Sequence, residues 1–223
     1  MKPKIFIACD TTNLKKIRKI IKASQVSKIK FGYKFGLEFL NSKHGRKFIF
    51  NLKNKITFGD YKLADIPNTC SSAIKAVKDL KLNYLTIHIS SGLDAIKAAK
   101  KVCGSTKLIG VTILTSLDNK SLREIGYNKN VEKLVLQQAK LAVKAKLDGV
   151  VCSPHEIKIV RKIFKKEIIT PGIRLHNDKK DDQKRLMTPK KAFQNGATSL
   201  VMGRSITRGN IKKNIKRIIE ELN

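Results

Sequence analysis

The sequence has no long hydrophobic run and few, scattered cysteines. No apolar stretch approaches the roughly 18 residues that a bilayer-spanning helix needs, and only five apolar residues in a row precede Asp10. We therefore expect a cytoplasmic protein without a secretion signal or membrane anchor. The four cysteines, Cys9, Cys70, Cys103 and Cys152, include no Cys-x-x-Cys pair, which argues against a zinc cluster or a redox pair. Reduced, mostly buried thiols are the predicted state.

Acidic residues are also scarce relative to basic ones. Lys and Arg number 48 against 17 Asp and Glu, which gives a formal net charge of +31. Such a charge is typical of proteins that bind nucleic acids or anionic surfaces. The basic residues are nevertheless spread over every helical segment, and the 9 Phe and 4 Tyr residues do not alternate with them as in a base-stacking surface. A lysine-rich composition explains the charge better, and the resulting field would still attract a phosphorylated substrate.

What the sequence does contain is a regular alternation of short β-like runs with amphipathic helical segments, such as Leu14, Ile17, Ile20 and Ile21. This alternation predicts a parallel sheet, and eight units predict a single-domain (β/α)8 TIM barrel over residues 1–223. A doubly wound open sheet is the alternative, but no Gly-x-Gly-x-x-Gly follows the first strand. The predicted strands are Ile5–Cys9, Ile29–Gly32, Ile56–Phe58, Tyr84–His88, Leu108–Leu114, Gly149–Cys152, Ile168–Thr170 and Ser199–Met202.

The segment from Ile56 to Thr69 places Asp60, Lys62 and Asp65 at and beyond the end of the third strand. In an extended chain Asp60 and Lys62 point to the same face and can touch. Burying an ion costs several kcal/mol unless it is paired, so three charges here indicate a polar active site. For an isolated Asp-x-Lys motif, a surface ion pair is the alternative interpretation.

In a TIM barrel, polar residues at the carboxyl ends of the strands face one common site. Gly203 and Arg204, after the eighth strand, offer a backbone N–H group and a guanidinium suited to an anion. The four histidines are scattered and no metal site is predicted. Two long polar connections, residues 116–130 and 175–188, are interpreted as active-site lids or as passive solvated loops, with a lid favoured for the second. The other residues expected at this end are Asp10, Lys30, His88, Thr115, Ser116, Ser153, Pro171, Gly172, Arg174 and Ser205.

The sequence resembles the orotidine 5'-phosphate decarboxylase family in blocks that cover nearly the whole chain. The Asp-x-Lys-x-x-Asp core is shared with related phosphosugar enzymes, whereas its extension to Ile-Pro-x-Thr, with TPGIR and GRSIT, is more specific. The blocks are IACD (7–10), KFG (30–32), GDYKLADIPNT (59–69), HISSG (88–92), VTILTS (111–116), DGVVCSPHE (148–156), TPGIR (170–174), DDQKR (181–185), TP (188–189) and GATSLVMGRSIT (196–207).

The resemblance implies a cofactor-independent decarboxylation of orotidine 5'-phosphate to uridine 5'-phosphate, with Lys62 as proton donor to C6 of the pyrimidine. Asp60 would lie against the substrate carboxylate, and Lys30 would bridge Asp60 and the ribose. Asp65 and Thr69 would enter the neighbouring subunit's site, which implies a homodimer. The remaining substrate contacts implied are Asp10 to a ribose hydroxyl, Thr115 to the base edge, Arg174, Gln183, Gly203 and Arg204 around the phosphate, with Ile66 and Pro171 also in the substrate site.

The chemistry is consistent with this assignment. Loss of CO2 from C6 leaves a carbanion without an adjacent electron sink, and the chain has no cofactor-binding fingerprint, so a fixed ammonium must stabilise the charge. Two alternatives stay open. One is a magnesium-dependent phosphosugar decarboxylase or synthase of the same superfamily, which a chelator would inhibit. The other is a basic nucleic-acid-binding protein, whose affinity would fall steeply with salt.

Overall fold

The computed structural model describes residues 3–175, 178 and 186–223. Within them, eight parallel strands close into a barrel in sequence order, with the last strand paired to the first. This closure confirms the predicted (β/α)8 barrel and excludes the open sheet. The strands are β1 Lys4–Ala8, β2 Lys30–Phe35, β3 Ile56–Leu63, β4 Tyr84–His88, β5 Lys107–Val111, β6 Gly149–Val151, β7 Glu167–Thr170 and β8 Ser199–Met202.

The helices lie outside the barrel and bury one apolar face each. In α1, for example, Ile17, Ile20 and Ile21 are buried. No helix among the described residues has both the length and the apolar character needed to cross a membrane. The α-helices in this part of the chain are α1 Leu14–Ala23, α2 Leu37–Leu40, α3 Gly45–Phe50, α4 Pro67–Ala76, α5 Leu93–Val102, α6 Asn119–Glu124, α7 Val131–Lys144, α8 Ile157–Ile163, α9 Pro189–Gln194, α10 Arg204–Thr207 and α11 Ile211–Leu222.

Asparagine side chains fix where three of these helices begin. Asn13, Asn130 and Asn210 each accept a hydrogen bond from the backbone N–H three residues later, at 3.0, 2.9 and 3.1 Å. Each bond satisfies a donor that has no partner within the first turn of its helix. The polar residues between strand and helix therefore set the start of α1, α7 and α11.

In β2 and β3 the observed strand ends differ from the predicted ones because charged residues interrupt the apolar pattern, whereas β5 ends at Val111, before the predicted Leu114. β2 continues past the predicted end at Gly32 to Phe35, and Lys34 within it pairs in register with β1 and β3. β3 likewise continues from Phe58 to Leu63. A lysine inside a strand is tolerated when its charge is paired, and the pattern alone does not reveal such pairing.

The long connection after β5 is more ordered than a plain polar loop. It contains α6, and the Asp118 side chain caps this helix by accepting from the backbone N–H of Ser121 at 2.9 Å. The second long connection, residues 175–188, lies largely outside the described residues. The interpretation of the second connection as a lid stays a prediction.

Aromatic and aliphatic side chains fill the barrel interior. The Phe6 ring packs edge-on against Phe58 and Tyr84, with centroids 5.0 Å apart in both pairs. At the amino-terminal end, Lys4 Nζ lies 2.6 Å from Glu167 Oε2 and 2.7 Å from the Tyr84 hydroxyl. This ion pair and the rings beneath it close one end, so the open cavity of the barrel lies at the carboxyl ends of the strands.

Candidate active site

Four side chains of alternating charge form a chain at the carboxyl ends of the first three strands. Lys34 Nζ lies 3.1 Å from Asp10 Oδ1 and 3.2 Å from Asp60 Oδ2. Lys62 Nζ lies 2.6 Å from the same oxygen of Asp60. The sequence Asp10, Lys34, Asp60, Lys62, named the charged quartet below, places two ammonium groups against one carboxylate oxygen.

Solvent exposure differs strongly along the quartet. The side chains of Lys34 and Asp60 are only 11% and 10% exposed, whereas those of Asp10 and Lys62 are 56% and 32% exposed. Charges as buried as the inner pair persist only when they are matched. The inner pair is therefore a fixed electrostatic element, with the ammonium of Lys62 at the edge of the cavity.

The pKa values of the inner pair show the same mutual stabilisation. Burial by itself raises the pKa of Asp60, but Lys34 and Lys62 outweigh it and the pKa is lowered. Burial lowers the pKa of Lys34, but Asp60 and Asp10 outweigh it and the pKa is raised. Both groups are therefore charged at neutral pH, as an electrostatic catalytic site requires.

Lys62 owes its position to an irregularity in β3. The register between β3 and β4 shifts between Gly59 and Leu63, and Lys62 adopts a left-handed backbone conformation with φ +48°. A bulge of this kind redirects side chains and is frequent next to active sites. The contact between Lys62 and Asp60 confirms the sequence prediction, although it arises from a bulge and not from simple strand alternation.

The quartet lines one side of a cavity of about 270 Å³ at the barrel mouth. This volume is near the lower end of the roughly 300–1,000 Å³ typical of small-ligand sites. The floor is apolar, with Phe58 and Val201 from the barrel interior, and the lining also includes Arg174 and Arg204. The cavity thus combines the paired charges of the quartet, an apolar floor and two arginines suited to an anion.

Comparison with known proteins identifies the family. The model of the orotidine 5'-phosphate decarboxylase / HUMPS family matches residues 3–218. The chain belongs to this family.

Individual relatives agree with the family assignment. A Prochlorococcus marinus (strain AS9601) protein named orotidine 5'-phosphate decarboxylase is 41% identical over 220 residues, covering 92% of this chain and 89% of the relative. A Coxiella burnetii (strain RSA 493 / Nine Mile phase I) protein of the same name is 39% identical over 217 residues, covering 92% of this chain and 90% of the relative. The crystal structure of orotidine 5'-phosphate decarboxylase from Lactobacillus acidophilus shares the fold with a TM-score of 0.83 at 32% identity, covering 100% of both chains. The resemblance seen in the sequence blocks is confirmed.

One residue assigned from that resemblance is wrong. Lys30 is exposed at the first position of β2, where it pairs with Lys4 at the amino-terminal end of the barrel. Lys34, four residues later, is the lysine that contacts Asp10 and Asp60. The triplet Lys-Phe-Gly occurs twice, at 30–32 and at 34–36, and the second copy, not the first, contributes the lysine of the site.

Two features of the second copy distinguish it. Its glycine, Gly36, lies so close to Asp10 that a Cβ there would be 2.9 Å from Asp10 Oδ1. Its lysine lies near the carboxyl end of a strand, where TIM-barrel enzymes place site residues. The length of β2 is the signal that distinguishes the two copies. The carboxyl end of β2 is level with Asp10, and the second copy lies at that end.

The other family-derived assignments divide into three groups. Asp65, Ile66 and Thr69 are exposed around the start of α4 and do not line the cavity of their own chain. Gln183 lies outside the described residues. Residues that do line the cavity as predicted are Asp10, Asp60, Lys62, Thr115, Pro171, Arg174, Gly203 and Arg204.

Sequence reasoning missed Thr86 as well as Lys34. Thr86 is fully buried in β4, and its hydroxyl contacts both the Asp60 carboxylate and the backbone of Lys62. A threonine in a strand is ordinary, so nothing in the sequence marked it. Over residues 3–175, 178 and 186–223, no group of three or more His, Cys, Asp or Glu side chains has the arrangement of a metal site.

Proposed function

We propose that this protein decarboxylates orotidine 5'-phosphate to uridine 5'-phosphate without a cofactor, in pyrimidine biosynthesis. The observation that carries the proposal is the ammonium of Lys62, 2.6 Å from Asp60 inside a cavity that two arginines share. Membership of the family and the names of the relatives support the reaction. We propose the residues 1–223 as one catalytic domain in the cytoplasm.

The proposed binding mode follows from the two groups of charged residues that line the cavity, the charged quartet and the two arginines. The phosphate binds to Arg174 and Arg204, with the backbone N–H of Gly203 beside them and Gln183 as a further contact. Two guanidinium groups suit the negative charge of a phosphate. Thr115 contacts the base edge, and Pro171 lies against the substrate.

The charged quartet then surrounds the sugar and the reacting carbon. Asp10 accepts from a ribose hydroxyl, and Lys34 bridges the ribose and Asp60, the role that the family resemblance implied for Lys30. Asp60 lies against the substrate carboxylate. Because these charges are already paired and fixed, they need little reorganisation when the charge moves during the reaction.

The reaction breaks the bond between C6 and the carboxyl carbon, and the electron pair stays on C6 as CO2 leaves. The ammonium of Lys62 stabilises this charge and transfers a proton to C6, which forms uridine 5'-phosphate and leaves a neutral amine. The amine regains its proton from solvent before the next turnover. All electrons and protons balance without an oxidant, a reductant or a metal.

A homodimer completes the site in this proposal. Asp65, Ile66 and Thr69 are exposed and lie outside the cavity of their own chain, and Ile66 is 65% exposed despite its apolar side chain. An exposed apolar residue beside exposed polar ones fits a contact with a second copy. In the dimer, Asp65 and Thr69 reach the partner's site.

The test follows the ultraviolet absorbance of orotidine 5'-phosphate after addition of purified protein and EDTA. We expect turnover by the wild type, and a loss of at least about 1,000-fold for Lys62→Ala, because the variant lacks both the charge and the proton donor. Lys81→Ala is the matched control, since Lys81 has the same left-handed backbone conformation, with φ +47°, on the exposed surface. Near-normal activity of Lys62→Ala would refute the mechanism, and inhibition by EDTA would favour a magnesium-dependent relative.

A further inference from the structure

Thr86 contacts two members of the charged quartet through a single hydroxyl group. Its Oγ1 donates to Asp60 Oδ1 at 3.0 Å and accepts from the backbone N–H of Lys62 at 2.8 Å. The residue is 0% exposed, so water does not compete for either bond. One hydroxyl therefore links the carboxylate to the main chain that carries the amine.

The strand register explains why this hydroxyl is needed. Gly59 pairs with Leu85 and Leu63 pairs with Ile87, so the three residues 60–62 face Thr86 alone. Regular ladder bonds cannot serve three residues opposite one, and the left-handed conformation of Lys62 lies within this segment. The Thr86 hydroxyl accepts the hydrogen bond of the Lys62 N–H where regular pairing between the strands fails.

The carboxylate of Asp60 is held at both oxygens as a result. Oδ2 contacts the ammonium groups of Lys62 and Lys34, at 2.6 and 3.2 Å, and Oδ1 accepts a hydrogen bond from the hydroxyl of Thr86. With only the two lysines on one oxygen, the carboxylate could pivot about that oxygen. The bond to Thr86 removes that freedom.

We propose that Thr86 is a positioning residue for the decarboxylation, holding the Asp60 carboxylate and the Lys62 backbone in their reactive arrangement. This inference rests on the proposed function for its kinetic consequences. It assigns Thr86 no contact with substrate. Its effect is on the geometry of the groups that react, where a displacement of about 1 Å can cost a factor of roughly 100 in rate.

The experiment compares Thr86→Val, which keeps the shape and removes the hydroxyl, with Thr86→Ser, which keeps the hydroxyl. In Thr86→Val we expect kcat to fall about 10- to 100-fold with KM within about threefold, because substrate contacts persist while the reacting groups move. Thr86→Ser should restore kcat to within about threefold of wild type. Thr112→Val is the control, since Thr112 is 2% exposed and its hydroxyl donates to the Val151 carbonyl.

Two further measurements separate positioning from general damage. A hydrogen bond to the charged form of Asp60 favours that form, so its loss should move the acid limb of the kcat profile of Thr86→Val to higher pH. The amide proton of Lys62 should exchange faster in Thr86→Val, because its acceptor is gone. If Thr86→Val does not fold, Thr86→Ala takes its place in both measurements.

The outcomes distinguish this inference from the proposed function. Wild-type protein without turnover of orotidine 5'-phosphate would overturn the function, and exchange of the Lys62 amide would still decide whether Thr86 holds the segment. Active wild type together with an unchanged kcat, pH profile and Lys62 exchange in Thr86→Val would overturn the positioning role. Equal losses in Thr86→Val and Thr112→Val would also overturn it, because they would reflect packing alone.

Discussion

Replacing Lys34 with methionine removes the ammonium at the centre of the charged quartet and keeps an apolar side chain of similar length. A hydrogen bond to a charged group contributes about 1.5–3 kcal/mol. The contact with Asp60 counts in full because both side chains are only about one-tenth exposed. The contact with Asp10 is discounted to below about 1 kcal/mol, because the Asp10 side chain is 56% exposed.

The sum of about 3 kcal/mol measures how firmly Lys34 is held against Asp60 and Asp10 in the free enzyme. Because a displacement of about 1 Å at the reacting groups can cost roughly 100-fold in rate, we expect kcat/KM of Lys34→Met to fall about 100-fold. The fold should survive, because Asp60 keeps its bonds to Lys62 and Thr86. The assay is the decrease in absorbance of orotidine 5'-phosphate at several substrate concentrations, together with a thermal melt of each variant.

Lys30→Met is the matched control for this experiment. Lys30 lies on the same strand and begins the same Lys-Phe-Gly triplet, but it is exposed and four residues away, or roughly 13 Å along the strand. We expect its kcat/KM to stay within about twofold of wild type, since surface substitutions of this kind have small effects. Lys34→Met with near-normal kcat/KM, or an equal loss in Lys30→Met, would refute the assignment of Lys34 in place of Lys30 to the site.

Two further predictions concern the proposed phosphate contact of Arg204 and the dimer. Arg204→Ala should raise KM about 10- to 100-fold with a smaller change in kcat, because it removes a charged contact remote from C6; an unchanged KM would contradict the phosphate role. An equal mixture of inactive Asp65→Ala and Lys62→Ala chains, after exchange of subunits, should recover about a quarter of wild-type activity, because half of the dimers contain one intact site of two. No recovery at any mixing ratio would exclude a site shared between subunits.

The sequence predicted the fold because the barrel repeats one simple pattern eight times. Strand ends were harder, and β2 shows why. Lys34 interrupts an apolar run, so periodicity ends the strand too early, whereas the fold continues it because Asp10 and Asp60 match the charge. These partners lie 24 and 26 residues away in sequence, and local patterns do not contain that information.

The site shows a similar division. Asp60 and Lys62 were predicted to touch, and they do, but through a bulge with a left-handed lysine that no alternation rule describes. Thr86 contributes to the site because it lies on β4 directly opposite that bulge. Its role depends on the register between two strands, which a single sequence does not specify.

The charges that line the cavity indicate how binding and chemistry are divided. Among the described lining residues, the two acids and two lysines of the charged quartet sum to zero, and Arg174 and Arg204 add two positive charges. A phosphate monoester carries about −1.5 to −2 at neutral pH, which matches the charge of the two arginines to which the proposal assigns the phosphate. In the proposed reaction, the quartet responds to the substrate carboxylate and to the charge that develops at C6. In the proposed reaction, loss of an arginine should therefore appear mainly in KM, and loss of Asp60 or Lys62 mainly in kcat, because these two members of the quartet meet the charge that changes.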